Sequence, residues 1–383
     1  MMRAPTYSTV GSLDELEELA SGWDALVLGM PRPSPFLLHG WVAEWWRAFG
    51  QGAELAVVTA HRDGRLVGAL PLYVRRAGGF RVARFLGGHE SALADLLLAP
   101  GEPADTAAGL VDAFRSRPYD YCDLFGLPGT SVLGRVAASK LPLVERVEAP
   151  VLLMPDGFEE TYTQKTSSKK RNLHRRRLRQ LGEVGDVEFV LGRSQDELEP
   201  LLEQAFVLHR LRWEGRPDGS TFGTREGVEF HRAALRRLAG SGVLRMVMMR
   251  VGDRPAAFHY FFELGTTMYV HRLAFDPDFS RYSPGLVSTL ETLRVASDDG
   301  MRRVEYLGGG ERYKLELSDR FEPLYQGVGL ARNPIGAAAA RSRMGLIGAR
   351  KALKRSERLQ RLYLKGGLAV RHHRAGQPAI DHD

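Results

Sequence analysis

Two histidines and a tyrosine stand where they could move protons, and a lysine follows the tyrosine. His259 and His271 lie on neighbouring predicted strands, and Tyr313 and Lys314 follow the glycine triplet of YLGGGERYKLEL. An imidazole with an unperturbed pKa of about 6.5 can remove a proton at neutral pH. A tyrosine hydroxyl beside a glycine-rich turn can protonate a leaving group. The alternatives are packing histidines that are merely hydrogen-bonded and a tyrosine that anchors a flexible turn.

A second feature is the loop DPDFSRYSPG, which leaves a strand and opens the predicted helix SPGLVSTLETLRVASDDG. The first turn of a helix presents unpaired amide groups and the positive end of the helix dipole, so this loop could hold a pyrophosphate. Arg281 could add a charged contact, and Gly285 would let a ligand approach the backbone. The competing interpretation is an ordinary helix start, with Ser283 as N-cap and Pro284 in the first turn.

Further polar residues could contact a substrate. Trp213 and Phe222 flank the polar loop RWEGRPDGSTFG, in which Asp218 and Ser220 could line a cleft, or the two aromatic residues could simply pin the loop. Additional candidate bases are the three carboxylates Glu263, Glu305 and Glu311.

Helical and strand patterns alternate twice in a similar order, which is typical of a duplicated α/β unit. The first half reads as two helices, a hairpin that turns at Asp63-Gly64, a strand, a helix and a strand. The second half reads as a basic helix, a strand, two helices, a three-strand meander, a helix and a strand. We predict an α/β (α+β) fold with two domains, 1–150 and 151–331. Each domain has a mixed, mostly antiparallel sheet flanked by helices. A basic helical tail follows over 332–383, and its end is expected to be disordered.

Composition narrows the class of protein. A length of 383 residues favours two cores. No apolar run reaches the ~20 residues that cross a bilayer, and the N-terminus lacks a signal-peptide pattern, so a cytoplasmic location is expected. The one cysteine, Cys122, excludes a disulfide framework and a cysteine-rich zinc site, and its context predicts a buried strand residue. No metal-ligand spacing, P-loop or Rossmann fingerprint is present, so no metal is expected.

Positive charge is concentrated in two segments of a chain with a net charge of +7. Residues 165–179 hold eight lysines and arginines and no acid, and residues 332–374 hold twelve against Glu357 alone. The rest of the chain is therefore net acidic. Such segments could bind CoA phosphates, lipid-linked phosphates, a membrane surface or RNA, or they could be solvated helix faces. The second segment could lie on an anionic membrane, which would place the protein at the inner membrane face, or pack on the body.

Several motifs follow one another along residues 7–330: PFLLHGWVAEWWRAFG, RDGRLVGALPLYVRR, RFLGG, SSKKRNLHRRRLRQL, FDPDFSRYSPGLVSTLETL and YLGGGERYKLEL. In this order they resemble the CelD-like branch of bacterial GNAT acyltransferases. That branch is associated with cellulose and exopolysaccharide synthesis and is distantly related to FemAB-type peptidyltransferases.

The resemblance implies tandem GNAT-like domains, of which the second holds acetyl-CoA or a longer acyl-CoA. It implies N-acylation of an amino group on a sugar, a cell-envelope or a polysaccharide precursor. It suggests that Tyr313 protonates the leaving thiolate and that Lys314 contacts the substrate or a phosphate. From the residues themselves, the expected base is His271 or His259, and further substrate contacts are expected from Trp213, Asp218 and Glu311.

The implied phosphate site departs from the family pattern. The GNAT loop R-x-x-G-x-G/A corresponds here to residues 281–286, with proline at its fourth position and leucine at its sixth. The resemblance assigns phosphate binding to Arg281, Ser283, Gly285, Leu286 and the adjoining backbone.

Two other functions are compatible with the sequence. A FemAB-like enzyme would take aminoacyl-tRNA as donor and use the basic helix that carries Lys169, Arg175 and Arg179. The sequence shows no coiled-coil hairpin insertion of the kind common in such enzymes. Apart from tRNA as this alternative donor, no nucleic-acid partner is expected. A catalytically inactive GNAT fold could serve as a scaffold in an envelope or polysaccharide complex.

Overall fold

The computed structural model of the chain describes residues 3–213, 220–308 and 312–355. These residues form two compact units. The first consists of 3–32, 52–146 and 324–355, and the second of 33–51 and the described part of 147–323. This division departs from the expected limits of 150 and 331 in two places. Residues 33–51 belong to the second unit, and the chain returns to the first unit at 324.

The strands and helices are numbered in chain order. The strands are β1 Thr6–Val10, β2 Ala53–Leu55, β3 Val57–Arg62, β4 Arg65–Leu70, β5 Leu72–Ala77, β6 Phe80–Phe85, β7 Leu97–Leu98, β8 Tyr121–Pro128, β9 Leu143–Val147, β10 Pro150–Leu153, β11 Val187–Gly192, β12 Leu244–Val251, β13 Arg254–Leu264, β14 Thr267–Phe275, β15 Arg303–Glu305, β16 Arg320–Phe321 and β17 Leu324–Gly329. The helices are α1 Leu13–Glu18, α2 Ala20–Leu28, α3 His39–Phe49, α4 Ala104–Arg115, α5 Val132–Val136, α6 Phe158–Lys165, α7 Ser168–Gly182, α8 Gln195–Trp213, α9 Arg225–Ala239, α10 Pro284–Asp298, α11 Arg312–Leu317 and α12 Pro334–Arg355.

The first unit contains two sheets, in the orders β1-β3-β4-β7 and β2-β5-β6-β8-β17-β9. Ser12 caps α1 with a full capping box, as its position before the apolar pattern predicts. The hairpin between β3 and β4 turns at Asp63 and Gly64, whose φ angles are 50° and 77°, as a type I′ turn requires. Cys122 is buried on β8, in agreement with the prediction.

The described part of the C-terminal basic segment packs on the first unit. Its helix α12 buries Ala340 and Ile347 against β8 and β17, and Arg343 bonds to the buried carboxylate of Asp123 at 2.9 Å. Of the two alternatives for this segment, packing on the body is therefore the one observed for 334–351. The predicted disordered end lies outside the described residues. Within those residues, no helix is both long and apolar enough to cross a bilayer.

The second unit is built on a seven-stranded sheet in the order β11-β12-β13-β14-β15-β10-β16. Neighbouring strands pair antiparallel except β14 and β15, which pair parallel. Helix α10 covers one face, where Phe261 and Leu293 share a core, and α8 packs on β13 and β14. The expected mixed, mostly antiparallel sheet flanked by helices is confirmed.

Residues 33–51 join the second unit through a close helix pair. Helix α3 packs on α9, and a Cβ at Gly40 would come within 2.7 Å of Arg237 Cγ, so only glycine permits this approach. Trp41 is fully buried and makes edge contacts with Phe230 and Phe262 at centroid distances of 4.7 and 5.3 Å.

The predicted basic helix is in fact two helices. The chain breaks between α6 and α7 at Thr166 and Ser167, and the Ser167 side chain accepts a hydrogen bond from the Lys170 amide, which caps α7. Pro200 lies inside α8, in its second turn, and the helix nevertheless continues to Trp213.

Candidate functional site

The parallel strands β14 and β15 diverge after a short ladder. Their pairing ends at Tyr269 and Glu305, although β14 continues to Phe275. Beyond β15 the amide of Tyr306 donates to the Pro150 carbonyl at 3.1 Å, and Leu307 takes a left-handed φ of 59°. The chain therefore turns toward β10. The edge of β14 beyond Tyr269 has no parallel partner strand among the described residues.

Helix α10 begins close to this divergence. Ser283 occupies the N-cap position with φ 57° and ψ 53°, a left-handed backbone that costs energy for a residue other than glycine. Its side chain makes no capping bond, while its carbonyl accepts the amides of Leu286 and Val287 at 3.1 and 3.2 Å. Since Pro284 has no N–H, Gly285 supplies the remaining amide of the first turn. The interpretation of Ser283 as a side-chain cap is wrong.

Gly285 also has a packing role. A Cβ at this position would lie 3.2 Å from the Phe275 ring and 3.9 Å from Leu273, so glycine lets α10 approach β14 closely. A bulky residue there would disturb packing as well as any phosphate contact. Of the predicted phosphate residues, Arg281 lies in the short 3₁₀ helix Pro277–Tyr282, Ser283 is at the N-cap position of α10, and Gly285 and Leu286 lie in its first turn.

Two more arginines stand near this turn. Arg177 of α7 donates to the Arg281 carbonyl at 2.7 Å, and Arg212 of α8 lies 4.3 Å from the centroid of the Phe275 ring. The Arg281 guanidinium itself contacts Tyr282, with its carbon 4.6 Å from the ring centroid. Sequence reasoning missed Arg177 and Arg212, because folding alone brings together residues that stand 69 or more positions before Arg281. The high arginine content of residues 165–179 was a signal for Arg177, but it does not extend to Arg212.

His259 is linked to the start of α10 through Thr289. The Thr289 hydroxyl donates to the Gly285 carbonyl at 2.7 Å, and it lies 3.2 Å from His259 Nε2. Because that hydrogen is already donated, Nε2 must carry the imidazole proton and donate to Thr289. His259 Nδ1 is then a bare acceptor, and it is buried with no hydrogen-bond partner among the described residues.

Burial, with the charge of Lys314 adding to it, lowers the pKa of His259 to about 3. The imidazole is therefore neutral at physiological pH, and it is a weak base. Its chemistry in this position is that of a fixed hydrogen-bonding group.

Lys314 and Tyr313 lie on the same side of the sheet as His259. Lys314 is buried and donates to the Gly308 carbonyl at 3.1 Å, and Tyr313 packs against the core beneath α10. Two further hydroxyls there, Ser288 Oγ and Tyr306 Oη, are buried without a partner among the described residues. Buried polar atoms are normally hydrogen-bonded, so this part of the unit has capacity to bind a polar ligand.

The structure places His271 on the opposite face of the sheet from His259. His271 lies two residues after Tyr269 on β14, and its ring centroid lies 5.1 to 5.7 Å from those of a cluster of rings. These rings belong to Phe36, Trp41, His231, Tyr260 and Phe262. A β-bulge at Tyr260/Phe261 shifts the register between the two histidines. Because they lie on opposite faces of the sheet, the two candidate bases His259 and His271 cannot approach the same substrate group from the same side.

The remaining candidates are dispersed. Burial raises the pKa of Glu263 to about 7, but Glu263 lies at the far end of β13 from His259 and pairs with Arg245 at 3.0 Å. Glu305 is fully buried and accepts two bonds from Arg303, at 2.6 and 3.0 Å. Trp213 ends α8 with its ring stacked on His209. Asp218 and Glu311 lie outside the described residues.

The buried neutral state of His259 predicts a pH effect on stability. Below about pH 6.5 the unfolded chain binds a proton that folded His259 does not bind until about pH 3. The free energy of unfolding should therefore fall over that window. The variant His259→Gln keeps a donor toward Thr289 and does not titrate. In urea denaturation at about pH 7 and about pH 4.5, it should lose less stability than the wild type.

The matched control is Thr289→Val, which removes the hydrogen bond and keeps the histidine. It should be less stable at both pH values and retain the pH dependence of the wild type. An equal fall for His259→Gln and the wild type would contradict the assignment.

Three of the solved structures with a similar overall fold are the following. The C-terminal domain (DUF2156) of a putative lysylphosphatidylglycerol synthetase from Agrobacterium fabrum has a TM-score of 0.55 at 13% identity, over 86% of this chain and 95% of that one. FemX has a TM-score of 0.54 at 11% identity, over 84% and 96%. A conserved protein of unknown function from Bacteroides thetaiotaomicron VPI-5482 has a TM-score of 0.53 at 12% identity, over 86% and 100%. At such identities the likeness concerns the fold.

The sequence itself matches a family model in the second unit. No curated protein matches the chain. Residues 168–315 match the acetyltransferase (GNAT) domain, and this range includes α7, the divergent strands, α10 and Lys314. This stretch is therefore similar to a GNAT acetyltransferase domain, and the similarity supports an acyltransferase as the class of enzyme.

Proposed function

We propose that this protein transfers an acyl group from acyl-CoA to an amino group, with the thioester bound where β14 and β15 diverge. The observation that carries the proposal is the divergence of β14 from β15. The turn 281–286 at the start of α10 follows the end of β14. A pantetheine chain can hydrogen-bond to the free edge of a strand, and a pyrophosphate suits a helix start with arginines nearby. The GNAT match over the same elements supports it.

The chemistry requires little covalent help from the protein. The amine nitrogen attacks the thioester carbonyl, a C–N bond forms and the C–S bond breaks. The amine gives up one proton, and the departing thiolate takes one. Positioning and two proton carriers are therefore sufficient.

In our proposal the two proton carriers stand on opposite sides of the sheet. Tyr313, next to buried Lys314, protonates the thiolate, and the lysine charge stabilises it. His271 remains our candidate base, because it lies just beyond the last β14–β15 pair. His259 holds the start of α10 through Thr289 rather than taking the proton, since its pKa is about 3.

The acceptor is proposed from the resemblance of the sequence motifs to the CelD-like branch. It is an amino group on a sugar, a cell-envelope or a polysaccharide precursor, and the donor is acetyl-CoA or a longer acyl-CoA. Contact with an anionic membrane could deliver a lipid-linked acceptor. The exposed Ile335 and Leu346 of α12 are available for such contact.

A second function has an observation of its own. Helix α7 exposes Lys169, Arg176 and Arg179, and these cations have no acidic partner among the described residues. Such a face suits the phosphates of a nucleic acid. Together with the fold shared with FemX, it favours aminoacyl-tRNA as the alternative donor. The left-handed Ser283 and the missing N–H of Pro284 keep a non-catalytic scaffold as a third possibility.

The first experiment is isothermal titration with acetyl-CoA, a longer acyl-CoA and free CoA, beside a tRNA gel shift. We expect acyl-CoA to bind with a Kd in the micromolar range, about −8 kcal/mol, and tRNA not to bind. Binding of tRNA alone would replace the proposal by the aminoacyl-transfer alternative. Binding of neither would favour the scaffold.

The role of Tyr313 is tested by Tyr313→Phe. Loss of a general acid should lower turnover by about 10²- to 10⁴-fold and leave the affinity for acyl-CoA unchanged. Turnover is followed as release of CoA thiol in the presence of amino-sugar acceptors. Tyr325→Phe on β17 is the matched control, with full activity expected. Unchanged turnover of Tyr313→Phe would remove this hydroxyl from the mechanism.

A further inference from the structure

A cleft of about 350 Å³ lies within the second unit, between α6, α7 and the outer side of α10. None of the residues that line it belongs to β14 or β15, so it is separate from the proposed thioester position. Pockets for small molecules span roughly 300–1,000 Å³, and this cleft therefore suits a fragment of nucleotide size.

One wall of the cleft is aromatic and aliphatic. Phe158, Tyr162 and His174 form a stack with centroid distances of 5.3 and 5.9 Å, and the Tyr162 hydroxyl and His174 Nδ1 are 2.7 Å apart. Leu178 and Leu290 add apolar surface. A flat heteroaromatic ring packs well against such a wall.

The charged groups of the cleft differ in the ion pairs and hydrogen bonds that they already make within the protein. Glu159 and Glu291 both pair with Arg294, which balances much of their charge. Arg171 donates to the carbonyls of Thr163 and Thr166 near the end of α6. Arg175 bonds only to the neutral side chain of Asn172, at 2.6 Å, and has no acidic partner among the residues described. Arg175 is therefore the cation most available to an anionic ligand.

The cleft reaches the start of α10. Val287, in the first turn of α10, is one of its lining residues, and Arg177 ties α7 to the turn through the Arg281 carbonyl. A ligand whose pyrophosphate rests on residues 281–286 can thus extend a further group along the outer side of α10.

We propose that this cleft holds the 3′-phosphoadenosine end of CoA, with the purine against the aromatic wall and the 3′-phosphate at Arg175. The inference rests on the proposed function and adds a determinant that recognises the nucleotide rather than the acyl group. It also gives the basic helix α7 a specific task. A guanidinium binds phosphate through two parallel hydrogen bonds, which an amide cannot reproduce.

The experiment compares CoA with 3′-dephospho-CoA by isothermal titration against the wild type, Arg175→Gln and Arg176→Gln. Arg176 is the matched control, because it is its exposed neighbour on α7 and does not line the cleft. The wild type should bind CoA about tenfold more tightly than dephospho-CoA. Arg175→Gln should bind both equally, and Arg176→Gln should keep the preference.

Two results would overturn the inference while the proposed function stands: equal binding of both ligands by the wild type, or a preference retained in Arg175→Gln while acetyl-CoA still binds. Absence of binding for CoA, dephospho-CoA and acetyl-CoA alike would overturn both proposals. Adenosine 3′,5′-bisphosphate serves as a probe without pantetheine. It should compete with CoA on the wild type and not on Arg175→Gln, and competition that survives in the variant would count against the inference.

Discussion

The second unit depends on one backbone constraint, the turn that separates β15 from β14. The amide of Tyr306 bonds to Pro150 on the β10 side, and the left-handed Leu307 directs the chain away from β14. A parallel pair would otherwise continue and close the edge of β14. The free edge, the turn 281–286 and helix α10 follow one another from this point, so the geometry of the proposed thioester site is a consequence of where the ladder ends.

Several buried polar groups of the unit lie near that site. The chain of hydrogen bonds from His259 through Thr289 to the Gly285 carbonyl connects β13 to the first turn of α10. Burial of this chain keeps His259 neutral. Ser288 and Tyr306 retain unsatisfied hydroxyls nearby, within the part of the chain that the structure describes. Such groups cost free energy when buried, and a site that binds a polar ligand gives them partners.

Local patterns predicted most elements, because helix caps, the Asp63-Gly64 turn and alternating apolar residues act over a few positions. They did not predict the two departures from the expected domain limits, in which residues 33–51 belong to the second unit and the chain returns to the first unit at 324. Residues 33–51 pack on α9 through Gly40 and Trp41, and β17 completes the sheet of the first unit. The turn that we propose to hold the phosphates was recognisable, since residues 281–286 are contiguous. Arg177 and Arg212 were not, and neither was the bulge that separates the faces of His259 and His271, because these depend on contacts between distant segments.

Hydrogen exchange of backbone amides with and without acetyl-CoA is the most direct test of the proposed site. The account predicts slower exchange at Gly285, along 270–275 on the free edge of β14 and at 306–308, with no change in α12. Protection confined to the first unit, or no protection anywhere at saturating acetyl-CoA, would contradict the claim that the diverging strands bind the thioester.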